Sequence, residues 1–147
     1  MPRDIPLGEI TLRKYEKPYD SSKRELFRKI CLSLGLLQPG DSRDIIVDIL
    51  LLLEDSRKKK EWLTSFAIKD GVEALRKENS LEVKGIAESN IRRQLKRLRD
   101  AMLIDKSENR YRISEFAPLS ETFSTKIEKF LIPQLTDRIK EYLGKLD

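Results

Sequence analysis

Residues 85–113, GIAESNIRRQLKRLRDAMLIDKSENRYRI, constrain the chain most, because a helical period gives way there to a strand period with almost no linker. On a helix turning about 100° per residue, Ile91, Leu95, Leu98 and Met102 fall on one narrow stripe that must face a core. Ser89, Arg93, Lys96 and Arg97 come out on the far side with Arg92 and Arg99 on the flanks, so the helix separates apolar from cationic. Glu88 and Asn90 in the first turn, with Ala87 or Ser89 near the cap, set the start near Ala87, since carboxylates and side-chain oxygens satisfy the free backbone donors of a helix start. After Met102 the pattern is that of a hairpin: LIDK, a polar tip SEN, then RYRI with Arg110 and Arg112 outward and Tyr111 and Ile113 inward. Asn109 suits the tip because Asn tolerates the left-handed backbone that tight turns need.

Charge follows the same boundaries. Residues 84–114 hold nine Lys or Arg against four Asp or Glu, a difference equal to the +5 of the entire chain, so the remainder is balanced. A solvated helix face is the plainer explanation of a charge run. Here the excess coincides with one helix and one hairpin, which points to contact with a polyanion.

A basic helix (87–102) running directly into a two-stranded hairpin (103–113) resembles the winged helix-turn-helix of MarR- and ArsR-like archaeal and bacterial transcriptional regulators. The resemblance covers about residues 41–116. It implies a mainly α fold with a small β-hairpin wing, a winged helix-turn-helix with additional N-terminal and C-terminal helices. It also implies that Ser89, Asn90, Arg93, Lys96 and Arg97 approach the major groove of double-stranded DNA, where Arg and Lys pair with guanine edges and Asn with adenine. Arg92, Arg99, Arg110 and Arg112 then contact mainly phosphates, the last two from the wing. One departure is plain: residues 79–85, NSLEVKG, are longer than the three or four residues of a tight helix-turn-helix.

The chain also excludes chemistries. It contains no histidine, so Ser-His and Cys-His nucleophile pairs are impossible within it and the commonest metal ligand is missing. A single cysteine, Cys31, can form neither an internal disulfide nor a thiolate cluster and reads as a buried small hydrophobe, with a redox sensor as the alternative. No glycine opens a phosphate-binding loop. No enzyme, cofactor or metal is expected, and a small-molecule effector is not inferable. The longest apolar run, residues 49–53, is too short to cross a bilayer, and the N-terminus lacks the apolar segment of a signal peptide, which sets the expectation of a cytoplasmic protein.

Along the rest of the chain, residues 1–40 read as an arm and a helix. A short strand is expected at 9–15, and Arg3, Arg13, Lys14 and Lys17 offer the alternative of a groove-binding arm. Ser22 to Glu25 match a capping box for a helix whose apolar side is Leu26, Ile30, Leu34 and Leu37, with Gly35 as its stop. Residues 41–116 form the second unit. Asp41 or Ser42 caps a helix over 42–54 that is apolar on most sides, with Asp44 and Asp48 on a solvated residual face. DSRKKK (55–60) reads as a charged turn, Trp62 as core, 62–68 as strand or helix start, and 69–78 as a helix. Residues 117–147 give two apolar-striped helices broken at Pro133, which need a surface to cover and suit a homodimer.

The leading expectation is a DNA-binding transcriptional regulator. The alternatives are a protein-interaction or assembly module on the same scaffold, and RNA binding.

Overall fold

Elements in the computed structural model follow the order α1 (Lys23–Ser33), α2 (Ile45–Lys59), β1 (Leu63–Thr64), α3 (Ser65–Glu78), α4 (Glu88–Asp100), β2 (Ile104–Ser107) and β3 (Arg110–Ile113). A 3-10 turn (Ser114–Phe116) leads into α5 (Leu119–Thr122), a π-helical stretch (Phe123–Leu131) and α6 (Ile132–Gly144). Residues 3–147 are described, other than Asp20 and Ser42. The fold is mainly helical with one small antiparallel sheet in the order β1-β3-β2.

Because α2 is apolar on nearly every side, it takes the centre. Ile45, Ile46, Ile49, Leu50 and Leu53 are all buried, and α1, α3, α4 and β3 pack around them. The expected turn at 55–60 is instead the end of this helix. Arg57, Lys58 and Lys59 sit in its last turn, where cations oppose the negative end of the helix dipole, and Lys60 stops it with a left-handed φ of 55°. Of the two expected caps, Ser42 lies outside the described residues and Asp41 stands ahead of the helix, its carboxylate accepting the Gln38 N–H at 2.9 Å; Asp44 is at the cap position and makes no side-chain cap bond.

Asp44 and Asp48 do not form a solvated face. Asp48 is wholly buried and binds Arg24 of α1 and, at 2.8 Å, Arg76 of α3. Asp44 binds Arg28 and Arg76, each at 2.9 Å. Helical spacing put both carboxylates on one side of α2, as read; three arginines from neighbouring helices, invisible to local pattern, convert that side into an ionic seam. Burial works against the Arg76 charge, but the hydrogen bonds it donates to Asp48 and Asp44 outweigh that and raise its pKa further.

Helix α1 starts as its sequence dictates, the Ser22 hydroxyl accepting the Glu25 N–H at 3.2 Å. Its buried face is Phe27 and Cys31; Leu26 and Ile30 are exposed, so the apolar side lies one residue away from the expected one. Gly35 ends the turn with φ 77°, and its missing side chain leaves room for the Glu9 carbonyl. No strand forms over 9–15, which is irregular and exposed.

Helix α3 begins at Ser65, four residues before the expected start, capped by the Thr64 hydroxyl on the Ala67 N–H at 3.1 Å. Both alternatives for residues 62–68 are realised in succession. β1 pairs with β3 in the register Leu63↔Tyr111, and β2 with β3 through Ile104↔Ile113. The hairpin alternates as read, Tyr111 and Ile113 buried and Arg110 exposed. At its tip the left-handed residue is Glu108, with φ 57°, while the Asn109 carboxamide oxygen accepts the Ser65 hydroxyl at 3.1 Å.

After the β2–β3 hairpin the chain makes one rod, not two helices. Thr122, Phe123, Leu131 and Ile132 all keep helical dihedrals, and the Ile132 N–H reaches Ile127, five residues back. Pro133 follows that wider turn, whose five-residue spacing accommodates a residue without a donor inside the rod. Thr122 and Ile127 are buried against the domain, whereas no residue of α6 is buried. Among the described residues no helix is long and apolar enough to cross a membrane.

Candidate nucleic-acid interface

Helix α4 is fixed by its apolar stripe: Ile91, Leu95 and Leu98 are each fully buried. Met102 leaves that stripe, because Asp100 ends the helix and Met102 takes φ 64°; Leu103 occupies the core instead. The long connection from α3 is pinned at both ends. Arg76 Nε donates to the Glu82 carbonyl at 2.6 Å, the Leu81 N–H to the Arg76 carbonyl at 2.8 Å, and Asn90 Nδ2 to the Gly85 carbonyl at 2.6 Å. Gly85 itself holds φ 75°, a conformation that glycine adopts freely. Residues 79–87 are thus a braced turn whose length does not leave α4 loose.

The nine candidate residues divide into two sets on α4 and one on the β2–β3 hairpin. Ser89, Arg93 and Lys96 stand exposed on the outward face, with Arg92 beside them. Arg92 pairs with Glu88 at 2.7 Å and Lys96 with Asp100 at 3.1 Å, both exposed i,i+4 pairs of the kind worth only about 0.3–0.5 kcal/mol. Either cation can therefore exchange its partner for a phosphate at little cost. Arg93 and Arg99 make no ion pair among the described residues, and Arg99 lies on the flank that faces the C-terminal rod, beside Met102 and Phe130.

The second set is committed to neighbouring groups, Asn90 half-buried and Arg97 exposed. Asn90 donates to Gly85 and its oxygen accepts from Gln94 at 3.3 Å, so both ends of its amide serve the turn. Arg97 donates to the Leu36 carbonyl at 3.0 Å and to the Gln94 side chain at 2.9 Å, fastening the segment after α1 to α4. Its partners are neutral, and it forms no ion pair among the described residues.

On the β2–β3 hairpin Arg110 and Arg112 part company. Arg110 is exposed and lies 5.6 Å from the Trp62 ring. Arg112 is a quarter exposed, donates to Asp105 at 2.9 Å, and lies 4.5 Å from the Trp62 ring and 4.8 Å from that of Phe116. Burial pushes the Asp105 pKa up, but the Glu115 N–H and the Arg112 guanidinium outweigh it and hold it below the usual carboxylate range. Trp62 is accordingly no core residue. It stands half-buried on the outer face of the sheet, edge-on to Phe116. Local sequence missed this clamp, although the pairing register extended one step beyond Leu63↔Tyr111 sets Trp62 opposite Arg112.

Comparison of the chain with protein-family models, with curated proteins and with solved structures finds no match. The case for function therefore rests on geometry and charge. Among the described residues no group of three or more potential ligands could hold a metal ion. Cys31 is buried between α1 and α2, and desolvation pushes its thiol up to about 12, where it is protonated and unreactive at neutral pH.

Proposed function

We propose that this protein binds double-stranded DNA through a winged helix-turn-helix, with α4 as the helix that enters the major groove and the β2–β3 hairpin as the wing. The order helix, strand, helix, helix, hairpin over α2 to β3 supports that reading, as does the sheet order that sets β1 beside β3. The carrying observation is the outward face of α4. Arg93 forms no ion pair among the described residues, Arg92 and Lys96 are held only by weak exposed pairs, and the buried stripe of Ile91, Leu95 and Leu98 fixes which way that face points.

Ser89, Arg93 and Lys96 are the proposed base-edge contacts, and Arg92, Arg99 and Arg110 the phosphate contacts. Arg112 braces the wing, and Asn90 and Arg97 hold the elements that border α4. A regulator of transcription is the role that such an interface serves, and α6, with its uncovered apolar face, supports a homodimer that presents two such helices.

Fluorescence anisotropy on a random duplex, titrated with salt, tests the proposal. Affinity is expected to fall with log salt at about 0.9 per phosphate contact. An Arg93→Glu/Lys96→Glu variant, in which neither side chain fastens another element, is expected to keep its circular dichroism and lose binding at least tenfold. Equal binding by the folded variant, or stronger binding to structured RNA at the same salt, rejects the DNA reading; binding to neither nucleic acid leaves a protein partner for the same scaffold.

A further inference from the structure

Residues 9–16 take no part in the interface described above, yet they are fastened to the protein at both ends. The Glu9 backbone sits tight against the turn that ends α1: a Cβ at Gly35 would stand 1.8 Å from the Glu9 carbonyl oxygen. Farther on, Glu16 pairs with Lys29 of α1 at 3.0 Å. Between these anchors the Tyr15 hydroxyl donates to the Thr11 carbonyl at 2.8 Å and closes a small loop. Leu12, Arg13 and Lys14 form its apex, and Leu12 is 96% exposed, more than any other large apolar side chain described. A single exposed leucine is ordinary. One held at the apex of a loop fixed at both ends is presented, and it forgoes the roughly 1.5–3 kcal/mol that burying such a side chain contributes.

The loop also lies near the face that α4 turns outward. Pro6 to Glu9 share a cleft with Arg97 and Asp100 of α4. Asp100 follows Arg93 by seven residues, which returns it to the same face about 10 Å farther along the helix. Leu12 is three residues beyond the Glu9 anchor, within about 11 Å of it on an extended chain.

Charge points the same way. Glu16 is taken by Lys29, whereas Arg13 and Lys14 form no ion pair among the described residues. The leucine alone would suit any apolar pocket; the two cations beside it and the cationic face of α4 nearby select a polyanion. An apolar wedge next to cations is the chemistry of segments that enter the minor groove of a duplex, where the cations meet the groove's negative potential and the wedge parts neighbouring base steps.

We propose that residues 10–14 form a minor-groove arm, with Arg13 and Lys14 along the groove and Leu12 between base steps, beside the major groove taken by α4. The proposal rests on the DNA-binding reading and extends it, since it adds a second groove and a preference set by that groove's floor.

Fluorescence anisotropy of the full chain on three duplexes of equal length, alternating A·T, I·C and G·C, tests the arm. A·T and I·C share a minor groove free of the guanine amino group, while I·C carries the major-groove edges of G·C. The parent is expected to bind both at least threefold more tightly than G·C. Arg13→Gln/Lys14→Gln is expected to abolish that preference and to reduce the dependence of log affinity on log salt by about 0.9 per cation removed. Leu12→Ser, which keeps the charge, is expected to weaken A·T binding at least threefold with the salt dependence unchanged. All three side chains are exposed, so both variants are expected to keep the far-UV spectrum and thermal midpoint of the parent. A parent without preference, binding of I·C at the G·C level, or folded variants that bind like the parent overturns the arm.

The Arg93→Glu/Lys96→Glu variant separates this proposal from the one beneath it. If that variant loses duplex binding while the loop variants match the parent, the arm alone is rejected. If it binds like the parent while the loop variants lose duplex, α4 is rejected as the reading helix and the arm is retained. A parent that binds none of the three duplexes rejects both.

Discussion

At the residue scale, charge does two different jobs in this chain, and burial separates them. Arg76 and Asp48 are both almost fully withdrawn from water, and each relies on the other for its solvation. Removing one partner of such a pair leaves the other charge buried and alone, which costs about 3–5 kcal/mol. Arg76→Ala is therefore expected to lower the urea-unfolding free energy by about that amount, a large share of the 5–15 kcal/mol of a typical domain. Lys96→Ala, which breaks an exposed pair, is expected to change it by less than about 0.5 kcal/mol. Equal losses in the two variants mean that the Asp44–Asp48–Arg76 cluster is hydrated and the ionic seam does not hold α1 and α3 to α2. Both arginine-rich regions look alike in composition; what distinguishes them is which helix comes to lie opposite, and that is decided by tertiary packing.

At the element scale, the β2–β3 hairpin is held at its base by a polar clamp. Asp105 accepts from Arg112 and from the Glu115 backbone, each at 2.9 Å, and Trp62 and Phe116 flank the guanidinium. The folded-state pKa of Asp105 is depressed, so its contribution to stability is fully present above the unfolded value of about 3.9 and is lost as the pH falls through the lower folded value. Asp105→Asn is accordingly expected to destabilise the protein by about 1–2 kcal/mol at pH 7, with the gap from the parent closing below about pH 3.9. A gap that stays constant from pH 7 to pH 2 in paired denaturation curves rejects an ionic clamp.

The elements themselves were largely legible from sequence. The stripe Ile91, Leu95 and Leu98, the alternation through Tyr111 and Ile113, and the Ser22 cap each express a local period or a local hydrogen bond. Boundaries were less so. The run at 55–60 looked like a turn because it is charged, yet cations suit the carboxyl end of a helix, and Pro133 looked like a break until a wider preceding turn accommodated it. Of the candidate interface, the outward face of α4 was readable from its angles, whereas the commitments of Asn90, Arg97 and Arg112 depend on groups distant in sequence or on the fold of a turn, which angles do not report.

On the scale of the whole molecule, the uncovered feature is the end of the C-terminal rod. Ile132, Leu135, Ile139, Tyr142 and Leu146 recur at alternating spacings of three and four, and all five are exposed, from 38% at Ile132 to 82% at Leu146. This is the a/d pattern of a two-stranded coiled coil. Its extent is short of the three or four heptads that secure such a pairing alone, so the seam suits a concentration-dependent dimer. Nothing in the domain core depends on these side chains, since α6 buries none of them. A Leu135→Glu/Ile139→Glu variant is therefore expected to keep its thermal midpoint and far-UV spectrum while sedimenting as a monomer at concentrations where the parent is a dimer. A twofold dimer links two α4 helices, and tethering turns the second contact into an intramolecular one. The monomeric variant is then expected to lose at least tenfold in affinity for a duplex carrying two half-sites while binding a single half-site like the parent. If the parent sediments as a monomer across the micromolar range, or the variant remains a dimer, the seam covers some other partner and two-site recognition falls with it.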